Sequence, residues 1–355
     1  MLLSFSQTGF RNLRELSLEF NDGITIVSGK NGSGKSNLLE AIHIICQGFS
    51  FRTKTLQEAI NWNSSQYILR AVATDVLNEK NEAAIQVESS GIKGKLNGKE
   101  FRRASALFGT APLVFISPED MQLAKGSPEA RRNFIDELLC FYKKNNLDLL
   151  RRYRRVLQQR NKWLRDNLET NPAGGEYLFE ALTEQLASLA VLVWEERKFL
   201  CEILEPNINN FYQILSDNAE KIKFSYTRAM NKESFLAKLK EKFHAERAAG
   251  ATLLGPHRDD IELLMQEHSM RDFGSQGQCR SIALAMKFAS AEIIESYSGI
   301  KPILLLDDVF AELDHSRRKA VEKIIRQKGC QTLAATPSIE DLPFSGDFLL
   351  FPLCV

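Results

Sequence analysis

Paired cysteines are missing from this chain. Cys46, Cys140, Cys201, Cys279, Cys330 and Cys354 are scattered with no C-x-x-C pair, and His43, His244, His257, His268 and His315 are equally dispersed. That spacing argues against a zinc site. Most of the cysteines fall in apolar runs, where a thiol behaves as a small hydrophobe. An excess of one charge is missing too. The formal net charge is +1, so attraction for a polyanion must come from local patches. No apolar run is long: the longest, Leu186 to Trp194, falls short of the about 20 residues that span a bilayer. The opening "MLLSFSQTGFRN" has no basic segment followed by an apolar core, unlike a secretion signal. A cytoplasmic, reducing setting is therefore expected. There is no internal repeat and no low-complexity segment.

What is present is a chain of 355 residues, long enough for a large core and two lobes, since single cores stop growing near ~250–300 residues. Residues 1–120 read as strand-rich. "LLSFSQTGF", "LRELSLEF", "GITIVSG", "QYILRAVAT", "AAIQVES", "IKGKLNGKEF" and "APLVFIS" alternate or run apolar, and Asn97-Gly98 is a hairpin signal. From Pro118 to about Asp217 the texture is helical, with Ser127-Pro128-Glu129 as a helix start and "NPAGGE" as a break. Strands return with "KIKFSY" and "KPILLLDDVF". The expectation is an α/β protein: a mixed sheet core with flanking antiparallel strands over 1–120 and 250–355, and a mainly helical inserted lobe over 121–249.

Gly29-Lys30-Asn31-Gly32-Ser33-Gly34-Lys35-Ser36 fits G-x-x-x-x-G-K-[ST] between a strand and a helix. Glycines let backbone N–H groups curl around a β-phosphate, and the helix N-terminus adds partial positive charge. Lys35 is expected on the β- and γ-phosphates and Ser36 on Mg²⁺, with Asn37 next in line. "ILLLDDVFAELD" places Asp307 and Asp308 where an apolar strand leaves the core. Two carboxylates there are costly unless a cation meets them. Asp307 is expected to hold Mg²⁺, directly or through a water, and Asp308 to orient the attacking water.

A second glycine-bearing turn, "FGSQGQCR" (273–280), opens another amphipathic run but carries no lysine for a phosphate. Phosphate loop, late "SQGQ" and strand-end Asp-Asp together resemble the ABC-type ATPase heads of transporters and SMC proteins. In that family two heads sandwich each nucleotide, so the resemblance assigns Ser275 and Gly277 to a neighbour's ATP. "FRNL" (10–13), "GKNGSGKSNLLEAI" (29–42), "GFSFRT" (48–53), "SPEDMQLAKGSPEARRNFID" (117–136), "GPHRDD" (255–260), "SQGQCRSIALAMKFA" (275–289) and "LLLDDVFAELD" (304–314) narrow it to a resemblance to the RecF family of bacterial DNA replication and repair proteins.

That resemblance implies an ABC-type head that binds ATP and Mg²⁺ and pairs with a second copy. It implies binding at single-strand/double-strand DNA junctions and work with RecR and RecO in gap repair, the SOS response and replication restart. ATP hydrolysis, stimulated by DNA, would be a slow switch. Three departures matter. Cys279 stands where the family more often shows glutamine. Asp308 replaces the glutamate of ABC proteins at large. Thr336 stands in for their switch histidine. The rival classes are a transporter ATPase subunit, disfavoured by the helical insertion and the missing histidine, and an SMC-like head, which lacks its hundreds-long heptad segment here. A metabolite kinase would leave the signature turn unexplained.

Arg151, Arg152, Arg154, Arg155, Arg160, Lys162 and Arg165 share a window without an acid. On a helix Arg151, Arg155, Lys162 and Arg165 line one stripe, beside an apolar stripe of Leu150, Tyr153, Leu157 and Leu164. With the resemblance, that stripe is the candidate for sequence-tolerant DNA phosphate contacts; 94–103 is a second basic candidate. His257 reads as a structural residue, and Arg258 either as a partner of Asp259 or Asp260 or as part of the nucleotide pocket.

Overall fold

The structure, a computed structural model, describes every residue except 76, 167–174, 217–219, 227–228, 345 and 354–355. Cys354 and most of the expected break over 171–176 thus lie outside the described residues. In chain order come β1 (Leu2–Thr8), β2 (Leu16–Glu19), β3 (Ile24–Ser28), α1 (Lys35–Gln47), β4 (Gln66–Thr74), β5 (Lys80–Glu88), β6 (Gly91–Leu96), β7 (Lys99–Phe101) and β8 (Leu113–Ile116). Then follow α2 (Gln122–Lys125), α3 (Pro128–Tyr142), α4 (Lys144–Asp166), α5 (Gly175–Ser216), β9 (Ile222–Ser225), α6 (Lys232–Glu241), α7 (Phe243–Ala249), β10 (Glu262–Met265), β11 (His268–Ser269), α8 (Met270–Phe273) and α9 (Gln276–Ser298). The chain closes with β12 (Ile303–Asp307), α10 (His315–Lys328), β13 (Thr332–Thr336) and β14 (Leu349–Pro352).

These elements form two compact units. One comprises Met1–Asp120, Phe211–Asp217 and Leu284–Val355; the other comprises Met121–Asn210 and Asn218–Ala283.

The first unit holds two sheets. One is antiparallel, in the order β2-β1-β4-β5-β6-β7, and the other parallel, in the order β14-β3-β13-β12-β8. Asn97 (φ 50) and Gly98 (φ 79) make the tight β6–β7 hairpin, with Leu96 opposite Lys99, as that dipeptide predicts. β12 runs between β8 and β13, which is why "ILLL" is apolar at every position: parallel strands are covered on both faces. Helix α1 is apolar almost all round from Leu38 to Cys46, and such a helix must be enclosed. One hydrophobic cluster joins it to Phe5, Tyr67, Leu69 and Ile85 of the antiparallel sheet and to Val27, Leu305 and Leu333 of the parallel one. This packing sets the carboxyl ends of β3, β12 and β13 side by side, the edge at which open α/β sheets bind ligands.

In the second unit α4 buries Leu150, Tyr153, Val156, Trp163 and Leu164. Charges inside this unit are paired, as buried charges must be. Arg197 meets Asp136 at 2.9 and 3.1 Å and donates to Pro256 O at 2.6 Å. Residues 250–283, expected with the head, fall in this unit. The cause is long-range pairing: β10 adds to β9, Arg131 of α3 binds Asp260 at 2.9 Å, and Trp194 of α5 donates to Asp259.

Candidate active site

The phosphate loop leaves β3 at Ser28 and enters α1 at Lys35. Gly34 is its N-cap, with φ 95, and a Cβ there would meet Leu13 Cδ2 at 2.6 Å. Left-handed backbone with no room for a side chain leaves glycine alone. Lys30, Asn31 and Gly32 are exposed at the rim, whereas Ser33, Gly34 and Lys35 are buried. Lys35 Nζ turns back over the loop, donating to the carbonyls of Gly29 at 2.7 Å and Lys30 at 3.1 Å.

The structure brings the loop to the acidic strand end. Ser36 Oγ donates to Asp307 Oδ1 at 2.9 Å, across 271 positions of sequence. Burial pushes the Asp307 carboxyl above its ordinary range, the Ser36 bond works against this, and the charge of Asp308 adds to it. Asp308 has left-handed backbone, φ 51, and its Oδ1 is buried with no hydrogen-bond partner among the described residues. Its carboxyl is also raised by burial, while the charge of Lys35 pulls it back down. Ser33 Oγ is a second buried oxygen without a partner among the described residues. Two orphaned oxygens beside a buried lysine mark a place built for something more than the chain supplies.

In the second unit the signature turn is a capping box. Ser275 N donates to Gln278 Oε1 at 2.9 Å and Gln278 N to Ser275 Oγ at 3.2 Å. Ser275 and Gln276 remain exposed, Gly277 is half-buried, and Cys279 is buried behind them.

Arg151, Arg155, Lys162 and Arg165 are all exposed on α4. Arg160 is not. It is 1 % exposed and bonds Glu246 at 2.7 Å, Thr252 at 2.7 Å and Thr183 at 3.0 Å. The spacing held the clue, since Arg160 lies seven after Tyr153 and four before Leu164, on the apolar stripe. His257 is structural: Nε2 donates to Thr252 O at 3.0 Å and Nδ1 lies 2.7 Å from Tyr153 Oη. Asp259 and Asp260 have other partners, so Arg258 is exposed beside them. Thr336 Oγ1 donates to Ser338 O at 2.7 Å, within its own turn.

Asn37, expected next in line on the nucleotide, is instead bonded to two residues without an assigned role, Asn12 and Arg52, and the group reaches the loop. Asn12 Nδ2 donates to Gly32 O at 3.1 Å, Asn37 Nδ2 to Asn12 Oδ1 at 2.6 Å and Arg52 Nη1 to Asn37 Oδ1 at 2.6 Å. Asn12 and Arg52 were marked in the sequence only as members of the blocks "FRNL" and "GFSFRT", which carry no sign of this contact.

A phosphate loop feeding a buried helix, a carboxylate two strands away in the same parallel sheet and an antiparallel flanking sheet define an ATPase head of the ABC type. The family model "RecF/RecN/SMC N terminal domain" matches residues 1–340. An Smc head bound to the C-winged helix domain of ScpA shares the fold, with TM-score 0.56 and 17% identity over 95% of this chain and 90% of that one.

Within this class the chain belongs to the RecF family. It is 34% identical over 355 residues to the DNA replication and repair protein RecF of Geobacillus thermodenitrificans, covering 96% of this chain and 94% of that one. A solved recombination mediator protein, RecF-ATPrS of the RecFOR pathway, superimposes with TM-score 0.89 at 29% identity, over 99% of this chain and 96% of that one.

Proposed function

We propose that this chain binds ATP with Mg²⁺ on the loop Gly29–Ser36, and that a second copy completes the site with Ser275 and Gly277. The observation that carries the reading is the Ser36–Asp307 contact at 2.9 Å. A hydroxyl and a carboxylate side by side are hard oxygen donors of the kind Mg²⁺ takes in ones and twos, filling its remaining positions with waters and phosphates. Among the described residues no group of three or more His, Cys, Asp or Glu could hold a metal on its own, which suits an ion that arrives with its nucleotide.

When bound, Mg²⁺ would neutralise phosphate charge and draw it off the bond being broken. The rest belongs to the chain's own groups. Lys35 exchanges two neutral carbonyls for phosphate oxygens, and such charge-assisted bonds are roughly twice as strong. Loop N–H groups and the start of α1 hold the anion. Asp308, with one carboxylate oxygen uncommitted, orients a water. As the shorter acid it makes turnover slow, fitting a DNA-stimulated switch.

Pairing of two heads around ATP would then ready them for DNA. The α4 stripe of Arg151, Arg155, Lys162 and Arg165 supplies phosphate contacts without base preference, and single-strand/double-strand junctions are the expected targets. RecF proteins of the RecFOR pathway suggest RecR and RecO as partners. Among the described residues no helix is long and apolar enough to cross a membrane, and the cytoplasm is the proposed setting. The head domain proper is taken as 1–120 and 250–355 in function, since the signature turn serves the nucleotide even though it folds with 121–249.

Light scattering with and without ATP and duplex DNA, on wild type and Lys35→Met, tests the reading. Mass should double with ATP in the wild type alone. Doubling that survives Lys35→Met defeats it.

A further inference from the structure

One buried charge is still unexplained. Glu40 lies between Leu39 and Ala41 on α1 and its side chain is 0% exposed. Such a carboxylate persists only if it is met by charge and hydrogen bonds. Arg11 supplies two bonds, Nε to Oε2 at 2.6 Å and Nη2 to Oε1 at 2.7 Å. Ser50 Oγ donates to Oε1 at 2.6 Å, and Arg52 Nη1 stands 3.7 Å from Oε2. The turn after β1, helix α1 and the 48–53 segment therefore converge on one side chain.

Both arginines lead on to the phosphate loop. Arg11 holds left-handed backbone, φ 45, a conformation that persists in a non-glycine only when neighbours over-determine it. Here Arg11 N donates to Ala59 O at 2.8 Å, Asn61 Nδ2 donates to Arg11 O, and the guanidinium is locked on Glu40. Asn12 follows directly and donates to Gly32 O at 3.1 Å. Arg52 donates to Asn37 Oδ1 at 2.6 Å, and Asn37 to Asn12 Oδ1 at 2.6 Å. The path Glu40–Arg11–Asn12–Asn37–Arg52 closes on itself through four side-chain contacts and the Arg11–Asn12 peptide link, and it reaches the phosphate loop at the Gly32 carbonyl.

We infer that Glu40 is a positioning residue for the phosphate loop. It touches no ligand; it fixes Arg11 and Arg52 so that Asn12 and Asn37 hold the outer peptide of the loop in its binding shape. This rests on the nucleotide reading above. The sign of the effect separates it from other roles. A carboxylate acting on an anionic ligand through charge alone would weaken binding, so its removal would tighten it. A residue needed only for packing would change stability and leave affinity alone. A positioning residue, when neutralised, loosens the ligand.

The test is calorimetric titration of the full-length protein with ATP in Mg²⁺. Binding by wild type that Lys35→Ala abolishes establishes the nucleotide reading; no binding by wild type removes that reading and this role with it. Given binding, Glu40→Gln should raise Kd about tenfold, the scale of one lost charge-assisted bond. Arg11→Gln should do the same, and the double variant no more than either, because both act through one ring. An unchanged or lower Kd in Glu40→Gln, or losses that multiply, overturns the proposal. Should Glu40→Gln fail to fold, Asn12→Ala cuts the exposed branch instead. Its Kd should rise about threefold, and no change there overturns the proposal equally.

Discussion

Acid should loosen the second unit through a single imidazole. His257 is pushed down to about 4 from the ordinary 6.5, chiefly by burial, with the charges of Arg258, Arg132 and Arg197 adding to the effect and the Thr252 carbonyl opposing it. Its Nε2 proton goes to Thr252 O, so Nδ1 is the acceptor for Tyr153 Oη. Protonation turns that acceptor into a donor, so the Tyr153 hydroxyl must turn its own hydrogen away, and it places a charge in a buried site beside three arginines. Between pH 6.5 and 4 the unfolded chain takes up a proton that the folded one refuses, so stability falls as pH falls. From pH 7 to 5 the loss is about 1–2 kcal/mol for this group.

Urea unfolding followed by the fluorescence of Trp163 and Trp194, both buried in this unit, reads that loss as a lower midpoint. His257→Gln keeps a donor for Thr252 and removes the titration. It should cost about 1 kcal/mol at pH 7, from the lost Tyr153 bond, yet lose less stability than wild type on going to pH 5. A variant that declines as steeply as wild type, or an imidazole titrating above pH 6 by NMR, refutes the reasoning. His43, also pushed down to about 4 by burial, should add a similar loss in the first unit.

Asp308→Asn keeps a residue that tolerates left-handed backbone and removes the charge of a half-buried carboxylate whose Oδ1 has no partner among the described residues. With the charge partly screened by solvent, the empty protein should gain no more than about 1 kcal/mol at neutral pH, read as a slightly higher melting temperature, while ATP turnover stops. Arg151→Ala with Arg155→Ala should lower the log–log salt slope of duplex binding by about 2. Arg160→Met leaves Glu246 buried and unpaired, so it should cost about 3–5 kcal/mol in chemical denaturation and leave that salt slope where it was.

How much of this could be read from residues alone depends on how local the signal was. The phosphate loop, the carboxylate strand end and the Asn97-Gly98 hairpin each carry their geometry in a few adjacent positions, and each adopts it. Glu40 was hidden because a glutamate in a helix ordinarily faces water, and only two sheets closing on α1 turn every side of it inward. Thr336 looked free to act on a ligand; a hydroxyl two residues before a serine carbonyl found a nearer acceptor. Residues 250–283 went with the helical lobe because β10 needed β9 as its neighbour, a pairing that no local pattern announces.

The reciprocal bonds at the start of α9 fix the chemical sense of the serine there. Oγ receives the Gln278 N–H, so its lone pairs are partly occupied by its own helix while its single hydrogen remains to be given outward. An oxygen thus oriented favours acceptors over donors in whatever approaches. Threonine at 275 would preserve that polarity, and alanine would erase it together with the cap.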